Sequence, residues 1–219
     1  MKISQIEHLL DHEFQTFDFG KRKFPALFQA GLADAAVHAA GLGYLLALGL
    51  EWSLPAIPEY PITVHASAQW KQVGRVFPDS VWFHPDTLAP WIAMEFERFE
   101  RGDENKIREK VENLAMSYYQ SGETIELCVF IYWLRSSLAP TTIAPLFNVF
   151  NQGFERQRVK ISPPRCKLLV YKMVMRQAVN DMAGQQTLIQ ELPATYRTAK
   201  ENQELLVLQE IRKIGHQAR

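Results

Sequence analysis

Apolar residues along this chain change their spacing several times, and each spacing predicts a different element of secondary structure. Residues 4–14 carry apolar side chains at helical spacing, which predicts a short amphipathic helix. The apolar stretch 25–52 opens on a proline suited to a first helical turn and is interrupted by Gly41, Gly43 and Gly49, so it predicts one or two helices. The prolines that follow it end the helical region.

Three strands are predicted after these helices. They cover residues 60–66, 73–83 and 91–97, which are rich in aromatic and β-branched side chains. The segment 84–90 between the last two contains two prolines and is predicted to be a turn. A turn of this length favours an antiparallel pairing of the second and third strands.

The second half of the chain predicts further alternation. Residues 103–121 have a helical apolar face and begin with Asp103, a residue type that caps helices. The run 124–134 is almost entirely apolar or β-prone, which indicates a strand buried on both faces of a sheet. A helix over 141–152 and a strand over 166–175 are predicted next.

The order of these elements predicts an α/β protein in which a mixed sheet is flanked by helices. We expect an N-terminal helical arm over 1–20, an α/β core over 21–175 and a helical C-terminal extension over 176–219. The length of 219 residues, of which 47% are hydrophobic, is sufficient for one large core.

Cysteine content and hydropathy restrict the cellular setting. Cys128 and Cys166 are the two cysteines, and they match neither a metal-ligand spacing nor a disulfide framework. The most apolar stretch contains Asp34 and His38, which favours a buried helix over a membrane span. Charged residues stand near the N-terminus where a signal peptide would be apolar. We therefore expect a cytoplasmic protein without membrane attachment.

The formal net charge of zero hides an asymmetry between the two parts of the chain. Residues 1–150 carry 12 Lys and Arg against 18 Asp and Glu, whereas residues 151–219 carry 12 against 6. The balances of −6 and +6 cancel. A basic C-terminal segment beside an acidic site would suit a polyanionic partner. Solvated helix faces would give the same numbers of basic and acidic residues, so both interpretations stay open.

Three acidic residues are the main candidates for chemistry. If the strands over 73–83 and 91–97 pair, Asp79 lies within the first strand, and Glu95 and Glu97 end the second. Alternation with a period of two places both glutamates on one face and turns Phe96 into the core. Carboxylates crowded into one place repel each other, and a divalent cation is the simplest way to offset that cost.

The oxygen donors at this place match the preference of Mg²⁺ or Mn²⁺. Two carboxylates, the backbone carbonyl of Phe96 and a substrate phosphate would contribute to an octahedral oxygen shell. A cation held in this way lowers the pKa of a bound water, orients it for in-line attack on phosphorus and neutralises developing charge. The sequence therefore predicts a site for metal-assisted phosphodiester hydrolysis.

The same residues resemble a known family. Pro78-Asp79, a turn, and Glu95-x-Glu97 after an apolar run resemble the motif of the PD-(D/E)xK nuclease superfamily. The order helix, three strands, helix, strand is similar to the core of its restriction-endonuclease-like fold, over residues 24–135. The resemblance implies that Asp79 and Glu95 bind a divalent metal, Mg²⁺ or Mn²⁺.

This chain departs from the family motif at one position, because Glu97 stands where the superfamily has a lysine that helps to position or activate the attacking water. Some members with a Glu-x-Glu triplet are active nucleases, which implies that Glu97 orients or deprotonates the water. The positive charge would then come from Lys106 or Lys110, which share one face of the following helix. The piece 94–119 also resembles replication-relaxation proteins of mobile elements.

Basic residues outside this site are candidates for nucleic-acid contacts. Lys71 and Arg75 flank the second strand near Asp79, where contacts to phosphate would be useful. A second basic stretch follows later in the chain: Arg156, Arg158 and Lys160. Ordinary solvated surface explains each of them equally well. Glu59, before the first strand, and Asp34, on the first long helix, are candidates for an additional acid, and a surface charge or a local cap is the alternative for each.

Two hypotheses of function follow from the sequence. The first is a Mg²⁺-dependent endonuclease that hydrolyses phosphodiester bonds of DNA. The second is a non-catalytic DNA-binding or protein-interaction module of a mobile-element or DNA-processing complex, which keeps the nuclease-like fold. DNA and other proteins of such a complex are the expected partners, with a homodimer left open.

Overall fold

Helices and strands alternate along the chain. The structure is a computed structural model that describes residues 1–28, 33–62, 73–100, 102–134, 148–174 and 208–214. The helices are α1 (Ile3–Thr16), α2 (Asp18–Lys23), a 3₁₀ turn (Pro25–Phe28), α3 (Asp34–Glu51), α4 (Glu104–Gln120) and α5 (Val149–Gln152). The strands are β1 (Ala56–Pro58), β2 (Ser80–Phe83), β3 (Pro90–Arg98), β4 (Leu127–Leu134), β5 (Phe154–Arg156), β6 (Val159–Ile161), β7 (Lys167–Val174) and β8 (Leu208–Ile214).

One mixed sheet forms the middle layer, with the strand order β1-β2-β3-β4-β7-β8. Strands β1, β2 and β3 are antiparallel neighbours, β4 runs parallel to both β3 and β7, and β8 is antiparallel to β7. Every residue of β4 is buried. The predictions of an α/β fold, a mixed sheet and a strand buried on both faces are confirmed.

Helices cover both faces of this sheet. On one face, α1 and α3 pack on alternate residues of β3, β4 and β7, and this core includes Phe96 and Trp133. On the other face, α4 packs on the intervening residues, including Phe130 and Tyr132 of β4. Glu95 and Glu97 therefore lie on the α4 face, because side chains alternate along β3.

Helix α3 lies unusually close to the sheet at two glycines. A Cβ atom added to Gly41 would lie 2.3 Å from the ring of Phe96, and one added to Gly49 would lie 2.8 Å from the indole nitrogen of Trp82. The absence of a side chain at these positions lets the aromatic rings contact the helix backbone. The packing of α3 thereby fixes Phe96, which lies between the two glutamates in β3.

The first two strands of the structure differ from the predicted ones. Strand β1 covers Ala56–Pro58, which the sequence did not predict; residues 60–62 of the predicted strand 60–66 are not in a strand, and residues 63–66 lie outside the described part. Strand β2 covers Ser80–Phe83 rather than 73–83. Proline has no N–H for a ladder hydrogen bond, so Pro58 ends the edge strand and Pro78 stands just outside β2.

Most of the helical C-terminal extension predicted over 176–219 lies outside the described part of the chain. Its described residues, 208–214, form the edge strand β8 and not a helix. The outer edge of β7 presents backbone donors and acceptors that a strand satisfies and a helix does not. Residues 175–207 and 215–219 lie outside the described part, as do residues 141–147 of the helix predicted over 141–152. Within the described ranges, no helix has the length and apolar character needed to cross a membrane.

Candidate functional site

The antiparallel pairing of β2 and β3 brings Asp79 beside Glu95. Ser80 lies opposite Met94 in this pair, so the same register continued by one residue places Asp79 opposite Glu95. The Oδ2 atom of Asp79 accepts a hydrogen bond of 2.7 Å from the backbone N–H of Phe96. This bond fixes the Asp79 carboxylate against the end of β3.

Three carboxylates are buried together at this place. The relative exposure is 0% for Glu95, 5% for Asp79 and 7% for Glu97. Removing a carboxylate from water is costly unless a positive charge or hydrogen-bond donors compensate. The site therefore requires cations, hydrogen-bond donors or bound protons to offset this cost.

Two lysines of α4 supply positive charge. The Nζ atom of Lys110 lies 2.8 Å from Oε2 of Glu95, 3.6 Å from Oδ1 of Asp79 and 3.7 Å from Oε2 of Glu97. Lys106, one turn earlier, places its Nζ atom 2.7 Å from Oε1 of Glu97. The Lys110 side chain is 24% exposed and that of Lys106 is 51% exposed. Lys110 thus lies between the carboxylates, and Lys106 lies at the rim.

The chain connection explains why these lysines reach the acids. A short connection joins the end of β3 to α4, and the helix then packs back over the sheet. Its first two turns therefore pass the end of β3, where Glu95 and Glu97 lie. Lys106 and Lys110 are four residues apart and so share one face of the helix.

Burial raises the pKa of the Glu95 carboxyl group well above its usual value, and the negative charge of Asp79 raises it further, whereas Lys110 acts in the opposite direction. Proximity to Asp79 also allows a protonated Glu95 to donate a hydrogen bond to that carboxylate. As a carboxylate, Glu95 leaves its buried Oε1 atom without a hydrogen-bond partner among the described residues. One oxygen of Glu95 can therefore carry a proton or bind a cation.

The pKa of Lys110 is governed by opposing effects. Burial alone lowers it, but the charges of Glu95, Asp79 and Glu97 outweigh burial and hold it above the ordinary value. Lys110 consequently remains an ammonium group across the physiological range. It is a permanent positive charge inside the carboxylate cluster.

The donor set fits a hard divalent cation in its chemistry. Carboxylate and carbonyl oxygens are the ligands that Mg²⁺ and Mn²⁺ prefer, and the partnerless Oε1 of Glu95 is a donor atom of this type. In the described ranges, no group of three or more His, Cys, Asp and Glu side chains has the arrangement of a metal site. Asp79, Glu95 and Glu97 are the candidate ligands. The ammonium group of Lys110 lies between their carboxylates.

The backbone carbonyl of Phe96 was predicted as a further ligand. The N–H of Phe96 points toward Asp79, and the N–H and C=O of one residue in a strand point to the same side. The residue opposite Phe96 in the β2–β3 register is Pro78, which has no N–H to donate. Pro78 therefore cannot donate a ladder hydrogen bond to the carbonyl oxygen of Phe96.

Arg98 is a neighbour of the site that sequence analysis did not single out. Its backbone N–H donates a 3.0 Å hydrogen bond to Oε1 of Glu97. Its guanidinium group forms ion pairs with Asp34 of α3 and with Glu100, and it lies over the ring of Trp133. Asp34, the candidate additional acid, thus pairs with Arg98. No pattern in the sequence relates residues 34 and 98, because only the packing of α3 on the sheet brings them together.

The basic candidates lie in three different settings. Lys71 lies outside the described residues, and Arg75 is exposed near the start of β2. The others belong to an antiparallel hairpin, β5–β6, that the sequence analysis missed. Gln157 and Arg158 form its two-residue turn with positive φ angles, a geometry that usually favours Asn and Gly and therefore gave no turn signal.

The hairpin is attached to the helix that carries the site lysines. Arg156 donates a 2.7 Å hydrogen bond to the side chain of Asn113, which lies three residues after Lys110 on α4. Lys160 lies opposite Glu155 across the hairpin and is exposed. Of the predicted phosphate contacts, Arg158 and Lys160 face solvent, whereas Arg156 is used to anchor the hairpin.

No protein-family model, no curated protein and no solved structure matches this chain.

Proposed function

We propose that this protein is a metal-dependent phosphodiesterase that hydrolyses DNA at the site formed by Asp79, Glu95, Glu97 and Lys110. One observation carries the proposal: the Lys110 ammonium group lies within 4 Å of three buried carboxylates that two adjacent strands bring together. Burying three acids and a lysine in one place is costly for stability, and such clusters are typical of catalytic sites.

The topology supports a restriction-endonuclease-like fold as part of the proposal. The elements α3, β1, β2, β3, α4 and β4 follow the order helix, three strands, helix, strand. The first three strands are antiparallel, and β4 adds in parallel to β3. Asp79 precedes β2 and the Glu95-x-Glu97 triplet ends β3, which is the placement that the sequence resemblance implies.

In this proposal Asp79 and Glu95 are the main metal ligands, with the Phe96 carbonyl as the backbone ligand. Glu97 lies at the rim of the carboxylate cluster, where it would orient or deprotonate the attacking water. A bound Mg²⁺ or Mn²⁺ would supply Lewis-acid chemistry by lowering the pKa of that water. The hydrogen bond from Phe96 to Asp79 holds one ligand in position before any cation binds.

The lysines of α4 would replace the lysine that the triplet lacks. Lys110 is held as an ammonium group by the surrounding carboxylates, so it is a ready partner for negative charge that develops on phosphorus. Lys106 is more exposed and lies beside Glu97 at the entrance. It would contact the incoming phosphate.

DNA is the substrate class that the charge distribution favours. The β5–β6 hairpin beside α4 presents Arg158 and Lys160 to solvent. In the sequence, residues 151–219 carry 12 basic against 6 acidic residues. Exposed cations on a hairpin attached to the helix of the site lysines allow the protein to hold a polyanion with one part and cleave it with another.

A specific observation also favours the second function, a non-catalytic module with the same fold. All three carboxylates already have lysine partners, and ion pairs of this kind neutralise the cluster without a metal. A domain that only binds DNA or another protein would need nothing more.

Cleavage separates the two functions. Purified protein is incubated with plasmid and with single-stranded DNA in Mg²⁺ or Mn²⁺, beside Asp79→Asn, Glu95→Gln and Lys110→Met. Glu109→Gln is the matched control, since Glu109 is an exposed acid on the same helix. We expect cleavage by the wild type and Glu109→Gln and none by the other three. No cleavage under any condition, or equal cleavage by all variants, would reject the enzyme.

A further inference from the structure

Phe77 is an exposed aromatic side chain two residues before Asp79. It is 53% exposed, and it is the one aromatic residue among the exposed large hydrophobic residues of the described part. Two nearby residues are buried by contrast: Val76 is 2% exposed and Asp79 is 5% exposed. An aromatic ring presented to water beside buried neighbours has no packing partner that explains it among the residues that the structure describes.

The segment that carries Phe77 is held in place by a buried side chain of α4. The side-chain amide of Gln120 donates a 2.6 Å hydrogen bond to the carbonyl of Gly74 and accepts one of 3.2 Å from the N–H of Val76. Gln120 itself is fully buried. The amide group of Gln120 therefore makes hydrogen bonds to residues 74–76 of the kind that a neighbouring strand would make.

Two further constraints act on the same segment. The N–H of Ile62 donates a 3.2 Å hydrogen bond to the carbonyl of Val76. Pro78 restricts the backbone of Phe77 to extended conformations. Phe77 is thus presented by a backbone that is fixed on both sides, and little conformational entropy remains to be lost when a ligand contacts the ring.

Phe77 is also close to the candidate site along the chain. Two residues of extended backbone cover roughly 6.6 Å, so the backbone positions of Phe77 and Asp79 are separated by about the length of one nucleotide in an extended strand of nucleic acid. Arg75, two residues before Phe77, is exposed as well. An aromatic ring alternating with a cation along an extended segment is the arrangement that binds unpaired bases and their phosphates.

We propose that Phe77 stacks on an unpaired base next to the phosphate that is cleaved. This inference rests on the proposed function and adds the substrate class: single-stranded DNA, or a duplex with an unpaired base at the cleavage position. The ring of Phe77 contacts the face of the base, and Arg75 contacts the adjoining phosphate. Because every base has such a face, stacking selects for an unpaired strand and not for a sequence.

The test measures stacking without turnover. Single-stranded oligonucleotides carrying 2-aminopurine at successive positions are titrated in EDTA with the full chain, with Phe77→Ala and with Phe77→Tyr. Leu88→Ala is the matched control, because Leu88 is an exposed apolar residue, 62% accessible, in the turn at the far end of β2 and β3. A fully paired duplex is the competing ligand.

The inference predicts quenching at one position by the wild type and Phe77→Tyr, and a loss of affinity of about 5- to 100-fold for Phe77→Ala. Leu88→Ala should bind as the wild type does, and the duplex should bind more weakly. Equal binding and equal quenching by Phe77→Ala, or no binding of single strands by the wild type, would overturn the inference.

Cleavage of the same oligonucleotides in Mg²⁺ separates this inference from the proposed function. Cleavage by Phe77→Ala at the wild-type rate, without preference for unpaired positions, would overturn the stacking role and leave the enzyme intact. Ring-dependent quenching without cleavage by the wild type would support Phe77 as a base-binding residue and reject the catalytic proposal.

Discussion

The ammonium nitrogen of Lys110 lies 2.8 Å from Oε2 of Glu95, a side chain with no exposure to solvent. The other oxygen of Glu95 has no hydrogen-bond partner in the described part of the chain. One of the two carboxylate oxygens of Glu95 therefore has a hydrogen-bond partner among the described residues, and the other does not. A proton or a metal ion at the second oxygen completes its environment.

Replacing Lys110 with Met should destabilise the protein in a way that a metal corrects. Without the ammonium group, Asp79 and Glu97 lose their shared cation and Oε2 of Glu95 loses its hydrogen-bond partner, and we expect the free energy of unfolding to fall by about 1–3 kcal/mol. Thermal unfolding in EDTA and in Mg²⁺ measures the effect. Millimolar Mg²⁺ should raise Tm more in Lys110→Met than in the wild type, because the cation replaces the missing charge.

Lys106→Met is the control for this prediction. Lys106 lies at the rim, is half exposed and pairs with Glu97, so its loss should cost less than 1 kcal/mol. Equal losses of stability in the two variants, or equal Mg²⁺ shifts in Lys110→Met and the wild type, would contradict the central position of Lys110.

Glu95→Gln should stabilise the metal-free protein, and the gain should grow with pH. The pKa of Glu95 is raised in the folded state, so the folded protein binds more protons than the unfolded chain between the unfolded pKa of about 4.3 and the higher folded value. Wild-type stability consequently falls as pH rises through that window. Glutamine has no charge to bury, so it removes this component.

Thermal unfolding in EDTA at several pH values checks the sign. Well below pH 4, Glu95 is protonated in both states, and Glu95→Gln should match the wild type. At neutral and alkaline pH the variant should melt at a higher temperature than the wild type. A variant that melts below the wild type at pH 8 would show that ionised Glu95 contributes stability to the metal-free fold.

Two glycines of α3 should respond in opposite directions to alanine. A Cβ atom at Gly41 would lie 2.3 Å from the Phe96 ring, whereas the nearest atom to a Cβ at Gly43 is 3.4 Å away. Gly41→Ala should destabilise by about 1–3 kcal/mol through overpacking, and Gly43→Ala should stabilise by up to about 1 kcal/mol through helix propensity. Chemical denaturation of both variants measures the difference.

The Gly41→Ala variant also tests how the site is supported. Displacement of Phe96 moves the strand segment between Glu95 and Glu97, so cleavage should fall more than the loss of folded protein explains. A Gly41→Ala protein with wild-type stability would show that α3 does not pack tightly on Phe96.

Gln120→Met should loosen the segment before Asp79. The substitution leaves the Val76 N–H and the Gly74 carbonyl without their side-chain partner, at a cost of about 1–3 kcal/mol. Hydrogen exchange should accelerate at the Val76 amide and stay slow at Val81 within β2. Unchanged exchange at Val76 would mean that other groups hold this segment.

The candidate site was largely predictable from the sequence, because it depends on two local regularities. Alternation in β3 puts Glu95 and Glu97 on one face, and the short connection to α4 brings the i, i+4 pair Lys106 and Lys110 back over them. The pairing of Asp79 with Glu95 needed only the antiparallel register. These relationships span few residues and leave a clear pattern.

Features that depend on long-range packing were not predictable. Arg98 pairs with Asp34, and Gln120 bonds to the segment of Val76, but no spacing in the sequence relates these residues. Strand β1 at residues 56–58 is of the same kind. This short segment gives no strand signal of its own, and its pairing with β2 makes it a strand.

Binding of Mn²⁺ tests most directly whether this cluster is a metal site. Electron paramagnetic resonance of Mn²⁺ titrated into the wild type, Asp79→Asn, Glu95→Gln and the Glu109→Gln control measures the bound ion. We expect one Mn²⁺ per chain in the wild type and in Glu109→Gln, and at least tenfold weaker binding in the other two variants. Equal binding by all four proteins, or no binding by the wild type, would contradict the account.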